Sequence, residues 1–308
     1  KIMSEYTIIE DGRCAVIEVA NIIGLNMHER ERRAPFFGSS FGVGTVILDA
    51  VAKGCKKIII GLGGSATNDG GMGLLQSLGA RFYDMNHKYL SPQAMNLEKI
   101  RYIDLNRLNK LEGIELIAAC DVKNHLLGEN GATYVFGKQK GFFPNQIKKV
   151  DMAMQNYRDQ LYRYTHVDID TFEGGGAAGG IGAVLIGILQ AKMIPGIELL
   201  MSYSDIEDQI QDCDLVITGE GQSDRQTMYG KVPAGILKVA KKHNKPIICI
   251  SGALGIGYMD LYELGFVGIY SIADRAMTFQ QALENAPEKL ELAAYGIMRT
   301  IWYFKNHS

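Results

Sequence analysis

Three stretches of the chain combine many glycines with a few hydroxyl and charged side chains, a composition suited to binding anions. They are IIIGLGGSATNDGGMG at residues 58–73, EGGGAAGGIG at residues 173–182 and TGEGQSDRQTMYGKVP at residues 218–233. Glycine allows positive φ angles and close approach of the backbone to a ligand, so that successive backbone N–H groups can surround an oxyanion. The carboxylates and cations among the glycines can bind metal ions and stabilise developing negative charge.

The first stretch follows a short apolar run, and its residue types fit two structures. In one, backbone N–H groups and hydroxyls bind a phosphate or an acid's carboxylate, helped by the N–H groups of the helix that follows. In the other, the stretch is a tight strand-to-helix turn in which Thr67 or Asp69 caps the helix. The sequence leaves both open. The candidate ligand-binding residues are Gly63, Gly64, Ser65, Thr67 and Asn68.

The second stretch contains a G-x-G-x-x-G pattern that lacks the context of a dinucleotide-binding site. No clear strand precedes the pattern, and no acidic residue follows on a next strand at the expected distance. The glycines serve either the close packing of a helix start against neighbouring backbone or an anion cradle. The presence of two such stretches favours the cradle, whose candidate residues are Gly174, Gly175, Gly176 and Gly179.

The third stretch and a single aspartate supply the charged candidates. Glu220, Asp224, Arg225 and Lys231 lie in one loop between an apolar strand and a helix, a position that favours a ligand site over a solvated loop. Asp121 follows the apolar run IELIAAC, where a carboxylate can act as a metal ligand, as a general base or as a cap of a turn. Asp121 and Asp224 are therefore the two candidate Mg²⁺ ligands.

These groups together favour phosphoryl transfer. The transition state of that reaction is stabilised mainly by positioning and by charge, with Mg²⁺ bridging phosphate oxygens. The sequence has no G-x-x-x-x-G-K-[ST] loop and no protein-kinase signature, the GGSATN segment of the first stretch lacks the spacing of a G-x-S-x-G nucleophile motif, and the six histidines show no metal-binding spacing. The residues alone therefore predict an α/β protein that handles phosphate.

Short apolar strands that alternate with helices are expected to position these loops. The strands are predicted in 56–60, 114–122, 213–221, 246–252 and 266–273, with helices in 44–53, 183–192 and 233–243. Such alternation is typical of a parallel sheet covered by helices. Ligands bind outside the carboxyl ends of the strands in these folds, and the first and third glycine-rich stretches are expected at such an end.

The composition limits the classes of partner. A chain of 308 residues is long enough for two domains, and a net charge of −2 does not suit a protein that neutralises many nucleic-acid phosphates. No apolar segment is long enough to span a bilayer, so no membrane partner is expected. Five scattered cysteines are typical of free thiols in a reducing cytoplasm.

Five stretches together resemble the glycerate kinase family, in the order in which that family carries them. They are RRAPFFGSSFGVG (32–44), GLGGSATNDGGMGLLQSLGARF (61–82), ACDVKNHLLGENGATYVFGKQKG (119–141), GGGAAGGIGA (174–183) and DLVITGEGQSDRQTMYGKVP (214–233). The resemblance implies transfer of the γ-phosphoryl group of ATP to a hydroxyl of D-glycerate with Mg²⁺. It leaves open whether the 2-hydroxyl or the 3-hydroxyl reacts.

The resemblance also implies two α/β domains with parallel-rich sheets, one inserted into the other, and a cleft between them. We expect a discontinuous Rossmann-like domain of residues 1–35 and 200–308 and an inserted domain of residues 36–199. The family's Asp-Ser-Phe-Lys and Asp-Gly-Gly-Glu-Gly motifs do not occur in this sequence, which is therefore expected to lack an N-terminal segment. A homodimer is one expected assembly.

Family likeness and strand-end position together favour a small set of catalytic residues. They are Asp69, Asp121, Asp224 and Lys231, with Glu220 and Arg225 as binding residues. Two other functions remain alternatives: a non-catalytic sensor of a phosphorylated or hydroxy acid, and an NAD-dependent dehydrogenase built on the second glycine-rich stretch.

Overall fold

A computed structural model describes residues 3–27, 34–108, 111–228 and 232–307. The chain forms two compact units, Lys1–Gly196 and Ile197–Ser308. Each unit has its own sheet and its own buried apolar cluster.

The first unit has a five-stranded sheet and a two-stranded ribbon, with helices packed around the sheet. Its strands are β1 (Thr7–Ile9), β2 (Cys14–Glu18), β3 (Lys57–Gly61), β4 (Arg81–Tyr83), β5 (Tyr102–Asp104), β6 (Glu115–Ala119) and β7 (Lys192–Ile194). Its helices are α1 (Ala20–Ile23), α2 (Phe41–Ala52), α3 (Met72–Ser77), α4 (Ala132–Lys140), α5 (Pro144–Thr165) and α6 (Ile181–Gly187).

The order of strands in this sheet places two loops side by side. The order is β1-β2-β3-β6-β7, in which β2, β3, β6 and β7 run parallel and β1 is an antiparallel edge strand; β4 and β5 form a separate two-stranded ribbon. Ile58, Ile59 and Ile60 are all buried, which requires that both faces of β3 are covered, since successive side chains point to opposite faces. The loops after β3 and β6 therefore leave the same edge of a buried sheet.

The second unit is a smaller parallel sheet of order β10-β9-β8. Its strands are β8 (Val216–Ser223), β9 (Ile247–Leu254) and β10 (Gly268–Ser271). The helices are α7 (Gly196–Ser202), α8 (Ile206–Asp212), α9 (Val232–Lys242), α10 (Asp260–Leu264), α11 (Phe279–Glu284) and α12 (Ala286–His307). Residues 247–251 of β9 are buried, as expected of a central parallel strand.

The predicted fold class, α/β with parallel-rich sheets, is confirmed, and each predicted strand is present. The helix predicted over 183–192 is shorter, because Gln190 takes a left-handed conformation with φ 57° and the chain continues into β7. The hairpin of β1 and β2 was not predicted. Residues 1–35 were expected to group with residues 200–308, but β2 pairs with β3 and so belongs to the sheet of the first unit.

The five cysteines are free thiols, as predicted. Within the residues that the structure describes, no helix has both the length and the apolar character needed to cross a membrane.

Candidate functional site

A pocket of about 300 Å³ lies where β3 and β6 of the first unit end. It is the place predicted for a ligand site in a parallel α/β sheet, outside the carboxyl ends of adjacent strands. The loop after β3, the loop after β6, the last turn of α4 and the middle of the second glycine-rich stretch all contribute to it. It is lined by Leu62, Gly63, Gly64, Ser65, Ala119, Cys120, Asp121, Val122, Phe136, Gln139, Lys140, Ala177 and Ala178.

Hydrogen-bond donors from the first glycine-rich stretch line this pocket. The backbone N–H groups of Gly63, Gly64 and Ser65, and the hydroxyl of Ser65, donate to no acceptor in the described part of the chain. Gly64 has φ +68°, a conformation that favours glycine, and a Cβ on Gly63 would meet only open space. These two glycines and Ser65 are thus in the position predicted for ligand binding.

Lys140 is a second donor at the pocket, and its side chain is only 2% exposed. It is the last residue of α4, which ends where Gly141 adopts φ 108°. Its Nζ donates a hydrogen bond of 2.6 Å to the carbonyl oxygen of Thr67. Burial lowers the pKa of Lys140 to about 7, although the charge of Asp69 acts in the opposite direction.

Asp121 is the acidic group of the pocket lining. One carboxylate oxygen, Oδ1, accepts a hydrogen bond of 2.8 Å from the backbone N–H of Gly196. The side chain is exposed, and Oδ2 accepts no hydrogen bond from a described residue. A carboxylate that is held by one oxygen and open at the other can accept a proton or bind a metal ion.

Asp69, predicted as a catalytic residue, occupies a structural position instead. It is fully buried and does not line the pocket. Its Oδ2 accepts hydrogen bonds from Ser40 N at 2.7 Å, Ser40 Oγ at 2.8 Å and Gly73 N at 3.1 Å, and its Oδ1 accepts one from Gly71 N at 3.3 Å. Burial raises the pKa of this carboxyl, while the hydrogen bonds from Ser40 and Gly73 lower it. Asp69 thus caps the start of α3, as in the second of the two structures that the sequence left open.

Thr67 and Asn68 are also fully buried, and both are hydrogen-bonded to α4. Asn68 Nδ2 donates to Thr133 Oγ1 at 3.0 Å, and Thr67 accepts through its carbonyl from Lys140. Thr133 and Lys140 both lie on the buried face of α4. The two hydrogen bonds therefore fix α4 against the first glycine-rich stretch. Neither Thr67 nor Asn68 lines the pocket.

The second glycine-rich stretch is packed rather than open. Residues 174–180 are buried, and a Cβ on Gly176 would lie 2.2 Å from the carbonyl oxygen of His125. A Cβ on Gly175 would lie 3.0 Å from Phe172 O, and one on Gly179 only 2.2 Å from Thr67 O. Gly174 needs its φ of +78°. These four glycines fit the close-packing interpretation of the sequence and not the anion cradle, because their backbones already contact other parts of the chain. Ala177 and Ala178, which lie between them, line the pocket instead.

The charged loop of the second unit follows β8, as predicted. Glu220 Oε1 accepts hydrogen bonds from Ser223 Oγ at 2.9 Å and Thr227 Oγ1 at 2.6 Å. Asp224 accepts a hydrogen bond of 3.1 Å from Gln222. Arg225 forms an exposed ion pair with Asp260 at 3.2 Å, which stabilises the fold little. Lys231 lies outside the described residues.

A larger groove of about 1040 Å³ lies in the second unit beside this loop. Residues 217–222 of β8 and 250–253 of β9 form one side, and apolar side chains of α11 and α12 form the other. Its size is at the upper end of the range for small-molecule sites, and its lining suits a flat, largely apolar group.

Sequence reasoning missed Lys140 and Gln139, which line the first pocket. A signal for Lys140 was present, because Thr133, Gly137 and Lys140 are spaced to share one helical face. Reading that face as buried would have required knowing that α4 packs against the loop after β3. Among the described residues, no group of three or more His, Cys, Asp or Glu side chains could hold a metal ion.

The fold and the pocket are those of an α/β protein with a small pocket, lined by hydrogen-bond donors, at the carboxyl ends of parallel strands. Comparison with known proteins is more specific, since a model of the glycerate kinase family matches residues 1–302. The chain is 38% identical to a glycerate kinase of Halalkalibacterium halodurans, covering 96% of this chain and 78% of that protein. It is also 38% identical to a glycerate 2-kinase of Escherichia coli, covering 98% of this chain and 79% of that protein.

A solved structure gives the same result. The crystal structure of a putative glycerate kinase 2 from Salmonella typhimurium LT2 matches with a TM-score of 0.80 and 38% identity, over 98% of this chain and 79% of that one. This chain belongs to the glycerate kinase family. The predicted enzyme class, a kinase that phosphorylates an alcohol group of a small molecule, and the predicted substrate, glycerate, are thereby confirmed.

Proposed function

We propose that the protein transfers the γ-phosphoryl group of ATP to the 2-hydroxyl of D-glycerate, and that the acid binds in the pocket of the first unit. The observation that carries this proposal is the composition of that pocket, with donors from Gly63, Gly64, Ser65 and Lys140 beside the single carboxylate of Asp121. A hydroxy acid has the matching groups, a carboxylate for the donors and a hydroxyl for the carboxylate. The name of the Escherichia coli relative supports the 2-position.

Each group in the pocket has a distinct role in this proposal. The N–H groups of Gly63, Gly64 and Ser65 hold the acid in one orientation. Asp121, fixed by the bond of 2.8 Å from Gly196, presents its other oxygen to the reacting hydroxyl and accepts its proton as the phosphoryl group arrives. The volume of about 300 Å³ suits a three-carbon acid and is small for a nucleotide.

The nucleotide is assigned to the second unit. Its groove of about 1040 Å³ offers an apolar lining for a base, and the loop that contains Glu220, Asp224 and Arg225 adjoins it. Mg²⁺ would be held there by Asp224, completed by water and phosphate oxygens, because this ion needs only one or two protein carboxylates when it binds a nucleotide. When bound, Mg²⁺ neutralises charge on the phosphates. Asp121 remains the alternative metal ligand.

A coupled assay tests the proposal. With ATP, Mg²⁺ and D-glycerate, the product is passed to enolase and pyruvate kinase, which respond directly to 2-phosphoglycerate but require added phosphoglycerate mutase to respond to 3-phosphoglycerate. We expect a signal without the mutase. A signal that depends on the mutase would contradict the 2-position, and the absence of any phosphoglycerate would contradict the proposed reaction.

The two alternatives make different predictions. A sensor would bind D-glycerate without consuming ATP, which calorimetry and the same assay distinguish. The structure gives the dehydrogenase no support, since residues 166–173 before the second glycine-rich stretch form no strand and the stretch itself is packed. The homodimer and the cytoplasmic location stay predictions of the sequence, the first of them open to test by light scattering.

A further inference from the structure

We propose that the ammonium group of Lys140 binds the carboxylate of the acid substrate from the buried side of the pocket, and so makes this pocket select a carboxylate over an uncharged polyol or amide. The inference rests on the proposed function, which places the acid in this pocket. It adds a specificity-determining residue that the sequence analysis did not single out.

The position of the ammonium group is the first argument. It donates to Thr67 O at 2.6 Å in the first glycine-rich stretch, and a Cβ on Gly179 in the second stretch would lie 2.8 Å from it. Lys140 therefore lies against both of the stretches that contribute residues to the pocket lining. Because residue 179 is a glycine and has no Cβ, the ammonium group has room at this position.

The second argument is that this cation is incompletely paired. An ammonium group has three N–H donors, and only the Thr67 carbonyl accepts from Lys140 among the described residues. Within the same residues Lys140 forms no ion pair at salt-bridge distance, although it is only 2% exposed. A buried, unpaired charge is costly, and an amide or a methionine would pack at a helix end with less penalty. An anionic ligand in the pocket supplies the missing partner.

The charge state of Lys140 then couples binding to protons. Burial lowers the pKa of Lys140 to about 7 in the free protein, and a bound carboxylate stabilises the charged form and raises this pKa. The titratable groups around it are Asp69, whose charge acts on Lys140, and Asp121 and Cys120, which line the same pocket. Burial raises the pKa of the Cys120 thiol and so favours its neutral form. Binding of the acid at pH 8 should therefore take up a proton.

The experiment compares Lys140→Met with Lys138→Met, a lysine on the same helix whose side chain is exposed. Calorimetric titration with D-glycerate and with D-glyceramide, its uncharged amide, is made at pH 8 in two buffers of different ionisation enthalpy. A lost hydrogen bond to a charged group corresponds to about a tenfold to hundredfold weaker affinity. We expect this loss for D-glycerate with K140M, little change for D-glyceramide, and wild-type behaviour for K138M.

The outcomes separate the inference from the proposed function. Equal D-glycerate affinity in folded K140M and wild type, or an enthalpy that does not depend on the buffer in wild type, would overturn the role of Lys140 alone. Failure of the wild-type protein to bind D-glycerate would overturn the proposed function as well. Proton uptake is measured on the wild-type protein, so the test holds even if K140M does not fold. Lys140→Arg, which stays charged, should restore the preference for the acid and remove the proton uptake.

Discussion

Replacing Asp69 with asparagine should destabilise the first unit rather than remove a catalytic group. The carboxylate is fully buried and accepts four hydrogen bonds that join the start of α3 to Ser40. Asparagine has nearly the same shape, but it has one acceptor oxygen and an NH₂ group that donates. Whichever way the amide turns, at least one N–H of the protein then faces another N–H.

The magnitude follows from these four bonds. Three of them converge on Oδ2, at 2.7, 2.8 and 3.1 Å. Hydrogen bonds to a charged group contribute about 1.5–3 kcal/mol each and neutral ones about 0.5–1.5 kcal/mol, so weakening the set and leaving one donor unpaired should cost about 2–4 kcal/mol. In a unit of this size each kcal/mol of destabilisation lowers the Tm by about 2–4 °C, so the Tm of the variant should fall by about 5–15 °C.

The assay pairs Asp69→Asn with Asp121→Asn. Far-UV circular dichroism gives the Tm of each variant, and the coupled kinase assay gives kcat at a temperature where both are folded. Asp121 is exposed, and an amide oxygen can keep its single hydrogen bond from Gly196. The free energy of unfolding of its variant should therefore lie within about 0.5 kcal/mol of the wild-type value. Its kcat should fall by about 10²–10⁴, the usual contribution of a general base.

Two results would refute this reasoning. An Asp69→Asn variant with the wild-type Tm and no turnover would show that Asp69 takes part in the chemistry and that the capping role is wrong. An Asp121→Asn variant with the wild-type kcat would show that Asp121 is not the base.

Three further predictions follow from the same contacts. Gly63→Val should weaken D-glycerate binding in calorimetry with little change in Tm, because a Cβ there meets only open space. Gly176→Ala should instead lower the Tm, because its Cβ would lie 2.2 Å from a carbonyl oxygen. The reverse pattern would contradict the assignment of the two stretches. Asp224→Asn should lower kcat by about 10²–10³ and raise the Mg²⁺ concentration needed for half-maximal rate, and an unchanged Mg²⁺ dependence would exclude Asp224 as the metal ligand. The free energies of unfolding in urea of wild type and Lys140→Met should diverge as the pH rises from about 7 towards 10.5, with wild type gaining up to about 1.4 kcal/mol of stability per pH unit. The reason is that the folded protein has released the Lys140 proton in this range while the unfolded chain still holds it. Parallel curves would show that Lys140 has an ordinary pKa.

The fold class was predictable because it depends on local sequence. Runs such as KIIIG, bounded by glycine, and helices such as Val232–Lys242 carry their periodicity and their ends in a few neighbouring residues. The strand-end position of the first and third glycine-rich stretches follows from the same signals. Family membership was visible for a related reason, since several long motifs occur in one order along the chain.

The roles within each motif were not predictable, because they depend on which backbone lies opposite. Asp69 and Asp121 both follow apolar runs and are chemically identical, yet one is buried under four hydrogen bonds and the other is exposed at the pocket. Gly63 and Gly176 both belong to glycine-rich stretches, yet one borders open space and the other touches a carbonyl. Hydrogen-bond partners of Asp69 such as Ser40, 29 residues away, leave no local trace.

The sequence by itself therefore determined the alternation of strands and helices, the loops that carry polar groups and the family. Only the tertiary structure decided which of those groups border the pocket and brought Lys140 to it from a separate helix. The physical reason is that secondary structure is set by interactions between near neighbours in the chain. Burial, charge state and access to a ligand are set instead by contacts such as Lys140 with Thr67, 73 residues apart.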